Sequence, residues 1–216
     1  MARKKWERWK LANGKSQAPS IVITPETQIV LDGFPRSGNS YLFALMAVTQ
    51  SSELKMAHHL HSVAHIKESV RRRLPTVVIA RDPREAVLSY LAFDSKVPLE
   101  DSLLDWISFY SQVLKLNTSA YVVAEFGEFI KDANPLIHKI NQVFGLSLSG
   151  IKQEIHGKAA KVYLEQHSQK LYSMSHQSQP SRERNEFKET IRGELEKEPH
   201  KSLLVEAIQI FDDLIR

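Results

Sequence analysis

Eight consecutive residues, Gly33-Phe34-Pro35-Arg36-Ser37-Gly38-Asn39-Ser40, carry the clearest chemical signal in the chain. Two glycines let a tight turn aim backbone amides at an anion. Ser37 and Ser40 add hydroxyl donors, and Arg36 places a cation inside the turn. The helix expected to start after the turn adds the partial positive charge of its N-terminus. Arg81, which ends the run Thr76-Val77-Val78-Ile79-Ala80, could grip an anion too or pair with Asp82 or Glu85. A third feature is imidazole: four of the nine histidines, His58, His59, His61 and His65, fall within eight residues.

The spacing of the loop is G-x4-G-x-S. It compares with the nucleotide P-loop, G-x4-G-K-[ST], with Asn39 in place of the lysine that reaches the β- and γ-phosphates. A triphosphatase needs that lysine and a magnesium-binding acid. A compact nest with its cation inside the loop suits a single 5′-phosphate group instead.

The histidines admit three readings: a metal site, a general base, or ordinary polar surface. His59 and His61 would share one face of an extended strand and His58 the other, and His61 could share a helix face with His65. Glu53 and Glu68 do not complete an evident ligand set, and the chain has no cysteine. A metal therefore fits least well.

These motifs must be held by elements that the hydrophobic pattern outlines. Short β-branched runs at 21–23, 28–33, 54–61, 76–80 and 119–124 read as strands. Helical spacing covers 41–49, 62–73, 83–93, 99–116, 126–132, 135–144, 151–172, 182–196 and 202–216. Asp82 followed by Pro83 is an N-cap and first-turn pair. Residues 173–181 read as a polar loop. The alternation predicts an α/β fold: a central, mainly parallel sheet flanked by helices, with a helix-rich C-terminal half. Both informative loops lie at strand C-termini, where such sheets bind ligands. There is no internal repeat.

With these motifs in place, the chain resembles the sulfotransferases that use 3′-phosphoadenosine 5′-phosphosulfate (PAPS). Their 5′-phosphosulfate loop, P-K-S-G-T-T-W, is similar to Pro35-Arg36-Ser37-Gly38-Asn39-Ser40-Tyr41. Their second element, a strand ending in Arg with Ser eight residues on, matches Arg81 and Ser89 in VVIARDPREAVLSY. Ala124-Glu125, Val143-Phe144-Gly145-Leu146 and the basic Pro180-Ser181-Arg182-Glu183-Arg184 extend the resemblance over residues 20–216.

The resemblance implies a P-loop-like sulfotransferase architecture and transfer of a sulfuryl group from PAPS to a hydroxyl or amine, leaving 3′-phosphoadenosine 5′-phosphate (PAP). It implies that Pro35 to Ser40 hold the 5′ end of the donor. Arg81 and Ser89 would hold its 3′-phosphate, with Arg182 or Arg184 nearby, and Tyr41 would stack on adenine. The family's K-T-H-L run puts its histidine 22 residues before the 3′-phosphate arginine, which is His59 here, with His61 the second choice as base. Ala57 stands where the run has lysine, and Arg36 where the loop has lysine. No metal is required. The alternatives are a P-loop kinase-like enzyme and a sulfotransferase-like protein that binds nucleotide without turnover.

Composition limits the partners. The 216 residues carry a formal charge of +4, and residues 1–10 hold five basic side chains and one acid, so the rest sums to zero. A basic arm at 1–19 precedes one domain at 20–216, and a nucleic-acid-coating protein is excluded. Absence of cysteine removes disulfides, thiolate metal sites and thiol nucleophiles. No apolar run reaches the roughly 18–20 residues of a membrane span, and no secretory signal is seen. The expectation is a cytoplasmic enzyme, possible as a homodimer, acting on a small-molecule or carbohydrate acceptor. Segments 94–118 and 151–176 are where acceptor contacts are expected.

Overall fold

A computed structural model describes residues 22–172 and 182–216, with backbone alone at 167–172. The basic arm, Ile21, the polar loop at 173–181 and the Pro180-Ser181 part of the basic motif lie outside the described residues.

Strands β1 (Ile29–Gly33), β2 (Met56–His58), β3 (Thr76–Ala80) and β4 (Val122–Glu125) form a sheet in the order β2-β1-β3-β4. Every pairing is parallel. The helices are α1 (Asn39–Thr49), α2 (Val63–Arg71), α3 (Pro83–Leu91), α4 (Leu99–Val113), α5 (Phe126–Phe129), α6 (Asn134–Phe144), α7 (Gln153–Tyr172), α8 (Arg182–Leu195) and α9 (His200–Ile215).

The strands read as continuous apolar runs because both faces of the sheet are covered. Alternate residues serve opposite layers. Val78 and Ala80 join Phe34, Trp106, Phe109 and Phe211 in the core beneath α3, α4 and α9. Val77 and Ile79 join Leu31, Leu42, Leu45 and Ile137 in the core beneath α1 and α6. Local signals set the boundaries. Asp82 accepts the Glu85 amide at 3.1 Å to cap α3, with Pro83 in its first turn. Glu125 accepts the amides of Gly127 and Glu128 to cap α5, and Gly145 ends α6 at φ 65°.

Several expected boundaries move. Val22 and Ile23 are not in a strand. The strand expected at 54–61 is only Met56–His58, because His59 (φ 63°) and His61 (φ 51°) turn left-handed and leave the ladder. His59 and His61 therefore do not share a strand face. Thr118–Ala120 is a 3-10 turn, and β4 begins at Val122. Helix α5 stops at Phe129, α3 at Leu91 and α4 at Val113, while α9 begins at His200.

Strand order decides where a ligand can sit. From β1 the chain moves outward to β2, then returns past β1 to β3. The loops after Gly33 and Ala80 thus leave adjacent strands in opposite senses and open the crevice that such a reversal creates. Gly33 pairs with Ile79 so closely that any Cβ would collide with the Ile79 carbonyl.

Candidate functional site: a cationic crevice beside an imidazole cluster

The loop after β1 is folded by its own side chains. Asn39, at the position of the P-loop lysine, is buried and donates Nδ2–H to the Phe34 carbonyl at 3.1 Å. The residue that removes the phosphate-seeking cation thus closes the turn. Gly38 sits at φ 99° as the N-cap of α1, with its Cα against the Phe126 ring, so neither its backbone nor its space admits a side chain.

Tyr110 of α4 supports the loop from below. Its hydroxyl donates to the Ile79 carbonyl at 2.6 Å and accepts the Phe34 amide at 3.2 Å. Ser37 is buried with its Oγ 3.5 Å from the same hydroxyl. One phenol therefore ties β3 to the anion loop. The sequence offered Tyr110 only as a residue of the segment 94–118 where acceptor contacts are expected; in the fold one face of α4 packs under the loop, with Trp106 and Phe109 fully buried.

Three of the expected donor-site residues meet. Arg36 lies at φ 66°, its Nε 3.5 Å from Ser89 Oγ, and its guanidinium carbon is 5.3 Å from the Phe93 ring centre. Arg81 donates to the Arg36 carbonyl at 3.2 Å and stands 4.6 Å from the Phe126 ring centre. Such contacts with aromatic faces steady a cation while leaving its edge available for an anion. Glu85 lies 3.7 Å from Arg81 and accepts from Arg192 at 3.0 Å, so the pairing expected for Arg81 coexists with the cluster.

Helix α8 completes the cationic side. Burial, then the nearby charges of Arg184 and Arg81, bring the Arg36 pKa down to about 10. It stays charged at neutral pH. Because the folded value lies below the ordinary one, this charge costs stability at every pH below about 10, and the cost fades as pH climbs further. Lys188 is a residue the sequence reading missed. Burial lowers its pKa first, then Arg81, with Arg36 and Arg192 acting the same way against Glu85. An unremarkable lysine in a polar helix gives no local signal of this. Arg182 points elsewhere: it is exposed and paired with Glu186 at 2.7 Å. Tyr41 lies near-parallel to Phe129 at 6.4 Å, and its hydroxyl meets Gln153 of α7 at 3.4 Å.

On the β2 side, His59 Nε2 lies 2.8 Å from Ser40 Oγ at the start of α1. Its Nδ1 meets His58 Nδ1, and the His58 ring is stacked on Phe43 at 3.8 Å. His61 is buried and donates Nδ1–H to the Gly33 carbonyl at 2.7 Å. His65, in the first turn of α2, donates Nδ1–H to Asp32 Oδ2 at 2.8 Å. Asp32 is fully buried at the end of β1. It was legible only as an acid inside an apolar strand. Left-handed residues such as Arg36, His59 and His61 cost of order 1–3 kcal/mol each and cluster at functional sites. Among the described residues no group of three or more His, Asp or Glu is arranged to hold a metal ion.

This geometry invites comparison with known proteins. No family model matches the sequence, and no curated protein does. A solved structure does match: the crystal structure of mouse sulfotransferase SULT7A1 complexed with PAP. The superposition covers 90% of this chain and 96% of that one, with a TM-score of 0.51 at 13% identity.

The chain has the sulfotransferase fold.

Within the sulfotransferase fold, the α/β layering and the parallel sheet expected from the sequence are both present. Among the described residues no helix is long and apolar enough to cross a membrane.

Proposed function

We propose that this protein is a PAPS-dependent sulfotransferase. One juxtaposition carries the reading: His59 Nε2 sits 2.8 Å from Ser40, on the same loop that presents Arg36 to Arg81. A base and an anion grip thus share one turn. The fold, and the PAP bound to the mouse protein of the same fold, support the choice of nucleotide.

Arg36 and the loop amides bind the 5′ end of the donor. Arg81, Ser89, Arg184 and Lys188 bind its 3′-phosphate, for which a guanidinium fork offers two parallel hydrogen bonds. Tyr41 borders the adenine side. Transfer is in line. The acceptor oxygen or nitrogen forms a bond to sulfur as the bridging bond from sulfur to the 5′-phosphate oxygen breaks. His59 Nε2 takes the acceptor proton. The electron pair of the broken bond leaves on PAP, where Arg36 meets the developing charge electrostatically, since a guanidinium is not a proton donor here. His61 donates Nδ1–H to the Gly33 carbonyl and is buried, so it positions the turn, and the half-buried His59 is the base. The acceptor is a hydroxyl or amine of a small molecule or carbohydrate.

Calorimetry with PAP, ADP and ATP tests the nucleotide. PAP should bind most tightly, and tighter ATP binding would refute the reading in favour of a kinase-like site. Transfer of labelled sulfate to an acceptor panel separates an enzyme from a protein that binds nucleotide without turnover.

A further inference from the structure

We infer that Asp32 is a positioning residue that sets the base by holding the turn His59–Ser62, acting through backbone amides and His65. The inference rests on the reading of His59 given above.

The parallel ladder between β1 and β2 ends at Leu31 opposite His58. Asp32 and His59 are the next residues on the two strands. Here the side chain of Asp32 takes over from the backbone ladder. Its Oδ1 accepts the amides of Gly33 at 2.9 Å and His61 at 2.8 Å. Its Oδ2 accepts His65 Nδ1–H at 2.8 Å and the Ser62 amide at 3.4 Å. The carboxylate lies just ahead of α2, where the helix dipole favours a negative charge.

All four of these partners are donors, so an acceptor-only group suits the position. An asparagine would turn an NH2 group toward two donors, or toward two backbone amides if it flipped. Leu60 is flanked by two left-handed residues, and neither His59 nor His61 is glycine. Histidine tolerates that backbone better than most residues, but two such residues so close together carry a cost, which the carboxylate and the Gly33–His61 bond offset. The consequence reaches His59, whose ring then lies on Ser40 Oγ and against His58. Asp32 touches neither Arg36 nor Arg81 in any contact described above. Its one described tie to the anion loop is the Gly33 amide at the end of the strand, so its loss should act more on the base than on the anion grip.

The experiment compares Asp32→Asn and His65→Leu with the full-length wild-type chain. The ring nitrogen shifts of His59, assigned by their loss in His59→Gln, are read at one fixed pH. In the wild type they should report a single tautomer, and in both variants an average of two. Sulfuryl transfer should fall about 10- to 100-fold in kcat for Asp32→Asn, while PAP affinity stays within about threefold, since displacing a catalytic group by an ångström is enough for such a loss. His65→Leu removes one of four donors and should show a smaller loss in the same direction. It also decides the question if Asp32→Asn does not fold. Unchanged His59 shifts in the variants, or PAP affinity falling by the same factor as kcat, would overturn the inference. Absence of sulfuryl transfer in the wild type would instead sink the enzymatic reading, and the His59 shifts alone would then decide the role of Asp32.

Discussion

On the β3 side of Gly33 the molecule gathers cations, and on the β2 side it gathers imidazoles around one carboxylate. Glu85 and Asp82 offset the charge of Arg81, while Arg184 and Arg81 bear on Arg36, and Arg81 and Arg36 on Lys188. Their geometry is held by aromatic faces and by Tyr110 beneath the loop, and an anion would lower the energy of the whole group. Asp32 is tied by the protein's own donors to the His61 amide and the His65 ring, and His61 to the Gly33 carbonyl. The first region is organised for binding and the second for placing a group before anything binds. Preorganisation of this second kind is what makes a base effective at the moment of reaction.

Variants that act on one region and spare the other test this division. The largest effect belongs to His59→Gln. Sulfuryl transfer should fall by about 10²–10⁴, or about 3–5.5 kcal/mol of barrier, with PAP affinity unchanged in calorimetry. A parallel fall in affinity would mean that the two regions are one.

Arg81→Ala is the converse. It removes a half-buried guanidinium beside Glu85, and PAP binding should weaken by about 10- to 100-fold, as expected for a charged hydrogen bond. Binding of 5′-AMP, which lacks the 3′-phosphate, should change much less. Equal losses for the two ligands would show that Arg81 does not read the 3′ end.

Tyr110→Phe addresses the support shared by β3 and the anion loop. It leaves the Ile79 carbonyl and the Phe34 amide without their partner and should cost about 1–3 kcal/mol in denaturant unfolding. PAP binding should weaken with it, while the His59 ring shifts stay as in the wild type.

The smallest effect is expected for Lys188→Met, about three- to tenfold in PAP affinity, because three other cations remain. Its pH dependence is diagnostic. The lowered pKa of Lys188 means that its charge, and the affinity it supports, is lost at a lower pH than for an ordinary lysine. Titration calorimetry should show this alkaline decline in the wild type and not in the variant.

Much of the site was visible as local pattern. Gly33 and Gly38 mark a turn, Arg36 lies inside it, and Asp82-Pro83 starts the helix that carries Ser89. These signals are short-range, so a single sequence displays them. The histidines were visible as a group but not as a structure. Their run suggested an extended strand, and the left-handed turn at His59 and His61 is held by Asp32 from another strand. Lys188 sits in a helix whose polar pattern reads as ordinary surface, and Arg184 of the same helix was named only through the resemblance. Their partners are roughly 100 to 150 positions away in the chain.

The sequence by itself determined the units: apolar strands, glycine-bounded turns, capped helices and the side-chain types at each turn. It did so because propensity, capping and periodicity act over a few residues. Only the tertiary structure decided which units touch. The β2-β1-β3-β4 order places the Gly33 and Ala80 loops side by side, and the fold of α8 back onto α3 adds its cations. Burial then gave Asp32 its role, since a carboxylate shut away from water must collect every donor within reach.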